Sequence, residues 1–329
     1  MIENLQKIIE QYGYKLINSY RGRGAYICET NKGIKLLKEM ETTIHRTWFE
    51  YYVKKHLIEN GYTNVDQFIL HNKKPYFEKD DKKYIFKNWC NGHECDLFNE
   101  MEILMAVENL ARLHKVLQNV EFYDNEVIYS NLGDLPSILK RHANELKKVR
   151  KFIRNQSHWS DFDILFLKNY NYYYKKASDS LSGFEETNYY GLVKKAKQKQ
   201  KVCHGEYTQH NVIITKEGLM TINFEKSCMD LQIMDFYQFI RKVMEKNNWN
   251  YNLGMKMIDT YNKKFTLERE SLKVLYYSLL YPEKFWKISN YYFNTRKAWN
   301  PKRSLEKMEK LIGQQNSKDQ FLNYLKNKI

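Results

Sequence analysis

The chain lacks the features that mark membrane, secreted and disordered proteins. No apolar stretch approaches the ~18 residues needed to span a bilayer. The N-terminus, Met1-Ile2-Glu3-Asn4-Leu5, has no basic-then-apolar signal pattern, so synthesis in the cytoplasm without a signal peptide is expected. The 5 cysteines, Cys28, Cys90, Cys95, Cys203 and Cys228, are odd in number and scattered, which argues for reduced thiols rather than a disulfide framework. The segment Cys90-Asn-Gly-His93-Glu-Cys95 reads at most as a metal half-site, because a tetrahedral zinc needs four ligands and no second pair sits at a useful spacing. Only 4 prolines occur in 329 residues, and no repeat or linker divides the chain.

The composition that remains is 43% hydrophobic and 28% charged, that of a folded, helix-rich chain long enough for two lobes. The net charge of +15 suggests attraction to polyanions. The lysines are dispersed, without a run of five, as on an ordinary solvated face. Tyr170, Tyr172, Tyr173 and Tyr174 lie among lysines as in a stacking surface for single-stranded nucleic acid, but their helical spacing also fits a core stripe. No nucleic-acid motif accompanies them, so nucleic acid is not the expected partner.

The most informative stretch runs from 201 to 226. His204, Glu206 and Asn211 reproduce the H-x-D-x-x-x-x-N spacing of kinase catalytic loops, with Glu in the Asp position. Val212-Ile213-Ile214 and Leu219-Met220-Thr221-Ile222 then read as a hairpin turned by Thr215-Lys216-Glu217-Gly218. It leads into Asn223-Phe224-Glu225, where a kinase carries a metal-binding D-F-G-like segment. These residues resemble the aminoglycoside and choline phosphotransferase superfamily, whose motifs read H-G-D-x-x-x-x-N and I-D-[FW]-[DE]. Within it they are most similar to the CotS-like spore coat proteins, with further likeness over Asp235 to Lys242 and Tyr281 to Lys287.

The resemblance implies an α+β fold of the bilobal protein-kinase-like type, with a small antiparallel-sheet N-lobe and a large, mostly helical C-lobe. The expected boundaries are an N-lobe over 1–89, a hinge over 90–94 and a C-lobe over 95–329. Local patterns agree. A helix over 2–11 precedes strands at 15–20, 25–29, 34–40, 67–70, 75–77 and 83–86, with a helix near 42–59. Arg21-Gly22-Arg23-Gly24 lies where a glycine-rich loop would cover phosphates, although two glycines also make a plain hairpin turn. Lys38 is the expected phosphate clamp and Glu50 its helix partner; Lys35 is the alternative, and strand parity allows only one to face the cleft. Asn88, Trp89 and Cys90 stand where a kinase backbone binds adenine. In the family, an aspartate at the position of Asp235 holds the catalytic loop by backbone hydrogen bonds. Amphipathic helices are expected over 100–117 and 230–245, and a charged helical region over 135–200 with breaks near 155–157 and 179–183.

As chemistry, Glu206 would be the base, Asn211 an oxygen donor to magnesium, and Lys38 the phosphate clamp. Asn223 replaces a metal-binding Asp and removes a charge that Mg2+ prefers. Glu225, two residues on, would share its face if the strand continued, and would restore a carboxylate. Glu206 has one methylene more than Asp, beyond the ~0.5 Å tolerance of a preorganised site. Both departures point towards a structural or assembly role in the spore coat, with nucleotide binding retained or weakened. The alternative is an active ATP-dependent phosphotransferase acting on a small-molecule, sugar or coat-component hydroxyl. ATP and Mg2+ are the expected cofactors, and a nucleotide and other coat proteins the expected partners. Phe285, Trp286, Tyr291, Tyr292, Phe293 and Trp299 read either as core packing or as an aromatic cage for a cationic substrate. Arg296, Lys297, Lys302 and Arg303 would instead suit an anionic one.

Overall fold

The computed structural model describes residues 2–122, 128–294 and 301–329, with side chains from Leu5 onward. The chain forms two compact units, Met1–Ser130 with Gln198–Asp235, and Asn131–Lys197 with Phe236–Ile329.

In the first unit, α1 (Ile2–Gln11) is followed by β1 (Leu16–Gly22), β2 (Ala25–Thr30), β3 (Gly33–Glu39), α2 (Ile44–Glu59), β4 (Phe77–Lys79) and β5 (Lys82–Asn88). The five strands form one antiparallel sheet in the order β1-β2-β3-β5-β4. Strand alternation gives the sheet two apolar faces. Leu5, Ile8 and Ile9 of α1 pack on Cys28, Leu37 and Phe86, while Ala25, Ile27 and Leu36 gather Ile34 and Trp89. The expected strand over 67–70 is reduced to a bridge between Phe68 and Lys87. The reason is a shared edge. Three-residue β4 occupies Lys82 to Tyr84 of β5, leaving only its last residues for the 67–69 backbone.

The unit continues through β6 (His93–Glu94) and α3 (Glu100–Val116), whose cap Asn99 accepts the N–H groups of Met101 and Glu102. After the second unit's first helices, the chain returns as β7 (Val202–Cys203), β8 (Val212–Thr215), β9 (Gly218–Thr221) and β10 (Cys228–Met229). β8 and β9 form the expected hairpin, with Val212 opposite Thr221 and Thr215 opposite Gly218, and β6 adds a third strand.

The second unit is helical: α4 (Leu135–Arg154), α5 (Asp161–Glu185), α6 (Tyr189–Gln198), α7 (Ile233–Lys246, from Phe236 on), α8 (Tyr251–Lys264), α9 (Arg269–Leu280), α10 (Glu283–Asn294), α11 (Pro301–Gly313) and α12 (Gln315–Lys326). Helix α7 buries Phe236, Phe239, Ile240, Val243 and Met244, as its period predicts. Helix α5 runs unbroken through 179–183, contrary to expectation. Gly183 is there for packing, since a Cβ would stand 1.9 Å from the Tyr277 ring of α9. Tyr170, Tyr173, Phe285 and Tyr292 lie in one core cluster, and Trp286 stacks on His142, so these aromatics pack and do not form a cage. Trp299, Arg296 and Lys297 lie outside the described residues. No helix among the described residues is long and apolar enough to cross a membrane.

Candidate nucleotide site

The loop after β7 is built around one carboxylate. Asp235, in the first turn of α7, accepts the His204 N–H at 2.6 Å on Oδ2 and the Gly205 N–H at 2.9 Å on Oδ1; His114 of α3 stands 3.1 Å from Oδ2. Gly205 is required there. Its φ is +81°, and a Cβ would fall 1.9 Å from the Lys226 carbonyl oxygen. The His204 ring is buried, which pushes its pKa down and keeps it neutral. Nε2 donates to the Ile222 carbonyl at 3.0 Å, and Nδ1 accepts the Glu206 N–H at 3.2 Å. Asn211 Nδ2 closes the loop on the Glu206 carbonyl at 2.9 Å. The Glu206 side chain is left exposed, without a partner among the described residues.

Beyond β9 the strand does not continue. Asn223 takes the left-handed conformation (φ 62°, ψ 64°), and Phe224–Lys226 form a single 3-10 turn. Asn and Asp both tolerate that conformation, so Asn at 223 preserves the backbone and removes only the charge. The parity argument for Glu225 therefore fails. Its carboxylate lies 3.0 Å from the Lys38 ammonium, while Asn223 Nδ2 lies 3.4 Å from Asn211 Oδ1. Asn211 and Asn223 thus meet as neutral amides.

Lys38 shares its strand face with Ile34 and Leu36 of the apolar patch. Lys35 points to the other face, where its ammonium donates to the Lys32 carbonyl at 2.8 Å and lies over the Tyr14 ring. Of the two, Lys38 is therefore the one on the face of the apolar patch, where it meets Glu225. Glu50 is not its partner, which corrects the expected pair. The Glu50 Oε1 accepts Lys54 of its own helix and, at 2.6 Å, Lys87 of β5. Asp66 completes the group, 2.7 Å from Lys54 and 3.5 Å from Lys87, and both of its oxygens accept the Asn223 N–H at 3.3 Å. All four side chains are 1–3% exposed. Burial alone would raise the Glu50 pKa, but the two ammoniums outweigh it and hold Glu50 at about 2. Lys87 shifts upward for the converse reason, burial being outweighed by Glu50 and Asp66.

In the expected hinge, the Asn88 N–H donates to the Gln67 carbonyl at 2.8 Å and the Trp89 N–H to the Ile34 carbonyl at 3.1 Å. Of the three residues Asn88, Trp89 and Cys90, only Cys90 has both backbone groups unbonded among the described residues. Beside it lies the patch of Ala25, Ile27 and Leu36, an apolar surface next to open backbone groups that fits a base ring. The donor set does not fit a tightly held Mg2+. Asn211 and Asn223 are uncharged, Glu225 is neutralised by Lys38, and among the described residues no three His, Cys, Asp or Glu side chains gather as metal ligands.

Another contact had no sequence signal beyond the arginine itself. The β1–β2 turn places Arg23 (φ 57°) and Gly24 (φ 71°) in left-handed conformations, the two-residue hairpin geometry. The Arg23 guanidinium donates at 2.6 Å to both the His210 carbonyl and Glu94 Oε1, and the His210 ring also contacts Glu94. The strand tip is thereby tied to the loop that follows β7.

An N-terminal five-stranded antiparallel sheet, a large helical C-terminal part and a loop anchored on Asp235 define a kinase-like phosphotransferase fold. A crystallised aminoglycoside phosphotransferase from Alicyclobacillus acidocaldarius superposes with a TM-score of 0.86 at 16% identity, covering 95% of this chain and 92% of that one. A spectinomycin phosphotransferase solved with AMP superposes at 0.63 and 12% identity, covering 95% of each chain. The family described as "Spore coat putative kinase YutH" matches residues 5–325, and the chain belongs to it. Spore coat protein S of Bacillus subtilis (strain 168) is 22% identical over 307 residues, covering 92% of this chain and 87% of that protein.

Proposed function

We propose that this protein is a kinase-fold component of the spore coat that binds a nucleotide for a structural or assembly role, with other coat proteins as its partners. The observation that carries this reading is the pairing of Asn211 with Asn223 while Lys38 holds Glu225. With amides at 211 and 223 and Glu225 paired to Lys38, the site offers little charge to the metal that neutralises a transferring phosphoryl group. Lys38 and the open backbone of Cys90 remain for phosphate and base, with Glu50 supporting the sheet from behind. The test is the unfolding midpoint with ATP, in the presence and absence of Mg2+. A ligand that binds the native state stabilises it by about 2.7 kcal/mol at 100 times its Kd. The midpoint should rise with ATP to the same extent with and without the metal. No rise at saturating ATP would defeat the binding claim. A rise that needs Mg2+ and comes with phosphate release would defeat the structural one.

The second reading, an active phosphotransferase, draws support from the fully assembled loop and the exposed Glu206 carboxylate. On that reading, Glu206→Asp increases phosphate transfer from ATP.

A further inference from the structure

The second unit carries a groove of about 610 Å³ between α4 and α5, bordered by Lys147, Arg150, Lys151 and Arg154 on one side and Tyr170, Tyr174 and Lys175 on the other. The only acid in α4 is Glu145, and its carboxylate accepts the Trp286 indole N–H at 2.7 Å. The one carboxylate lining the groove, Asp179, is held by Lys175 at 2.8 Å. Among the described residues, none of the four α4 cations has a carboxylate partner. Cations near a helix C-terminus are ordinary for one turn, because the dipole favours them. That accounts for Lys151 and Arg154 and not for Lys147 and Arg150, which lie earlier in the helix. Like charges gathered along a concave wall raise the local concentration of anions.

We infer that this groove binds an acidic segment of a partner polypeptide, with its carboxylates on the α4 cations. The tyrosines favour a peptide over a nucleic acid. Tyr170 and Tyr174 stack on each other at 5.2 Å, Arg150 covers Tyr170 at 4.5 Å, and Lys147 lies 5.3 Å over Tyr174. Ring faces engaged in this way are not open to the base stacking on which single-strand binding relies. The stack also holds the Arg150 guanidinium in place, as two-pronged carboxylate recognition requires. Asn155 and Asn171 at the rim present donors and acceptors together, matching a peptide backbone, whereas a phosphodiester only accepts. Cations at 147, 151 and 154 recur on one side of the helix about every turn of ~5.4 Å, close to the ~6.8 Å repeat of same-side residues in an extended strand.

The groove lies wholly in the second unit and its test involves no nucleotide, so it stands or falls apart from the nucleotide reading. The probe is a short fluorescein-labelled poly-L-glutamate, followed by anisotropy at physiological ionic strength against the full chain. The variant Lys147→Glu/Lys151→Glu/Arg154→Glu changes exposed residues and should keep its unfolding midpoint while its Kd rises about tenfold or more. The control Lys7→Glu/Lys115→Glu/Lys216→Glu has the same net charge and should bind as the parent does. Equal weakening in both variants would overturn the proposal, since net charge alone would then explain binding. So would absence of binding to the parent chain, or tighter binding of labelled oligothymidine that is lost in the same groove variant.

Discussion

The first unit contains two lysine–carboxylate clusters made of the same chemical groups, and they are different objects. Glu50, Lys54, Asp66 and Lys87 are 1–3% exposed, balance one another's charge, and reach the Asn223 N–H through Asp66. Lys38 and Glu225 are 20% and 19% exposed, and the further charges beside them, Glu41 at 3.9 Å from Lys38 and Arg46 on the Glu225 carbonyl, do not bury the pair. A sealed cluster is architecture, because removing one member leaves an uncompensated charge in a medium that cannot solvate it. An open pair contributes little to stability, and its partners can be exchanged for a ligand. Glu50 of α2 belongs to the first kind, while Lys38 of β3 belongs to the second.

The largest effect should come from breaking the sealed cluster. Glu50→Gln leaves Lys54 and Lys87 facing a single carboxylate and should cost about 3–5 kcal/mol in unfolding free energy, read from denaturant titration. The double variant Glu50→Leu/Lys87→Met, which removes one charge of each sign, should recover much of that loss; failure to recover would mean that the network acts by shape and not by charge. Acid gives the next effect. The folded pKa of Glu50 is held at about 2 against an ordinary 4.5, so its contribution is complete above 4.5 and is lost as pH falls towards 2. The double variant should therefore unfold over a shallower acid profile than the parent chain.

These two clusters also show what the sequence could and could not reveal. The loop after β7, the hairpin and α7 are legible because local spacing encodes them: His204, Glu206 and Asn211 lie within eight residues, and α7 repeats its apolar face. Lys38 against Lys35 was open because alternation shows that the two differ in face without showing which face is which. Sequence pairs Glu50 with the wrong strand lysine because Lys87 lies on β5 and is brought near only by the pairing of Leu36 with Lys87, whereas its other partner, Lys54, stands four residues on in the same helix. Asp66 gave no signal at all, since it sits in an irregular segment where no period applies. Gly183 looked like a breaker because a glycine's packing role depends on a ring, Tyr277, that is remote in sequence.

A smaller effect tests the open side. Asn223 already holds the left-handed backbone that Asp also tolerates, so Asn223→Asp should fold without strain and place a carboxylate beside Asn211. ATP stabilisation should then become magnesium-dependent, with a several-fold tighter apparent Kd in the presence of the metal by thermal shift. Unchanged behaviour would mean that the missing charge is not what limits the site.

The smallest effect separates two roles for Glu225. If it were a metal ligand, Glu225→Gln would weaken magnesium-dependent nucleotide binding. The structure instead has it neutralising Lys38 at 3.0 Å, with both groups about one-fifth exposed. Removing its charge frees Lys38 for phosphate, so nucleotide affinity should rise a few-fold, while unfolding free energy moves by no more than about 1 kcal/mol. Lys38→Met in the same background should abolish that gain. The order of effects, with Glu50 large on stability and Glu225 small on stability but opposite in sign on binding, follows from burial alone, because the charges involved are the same.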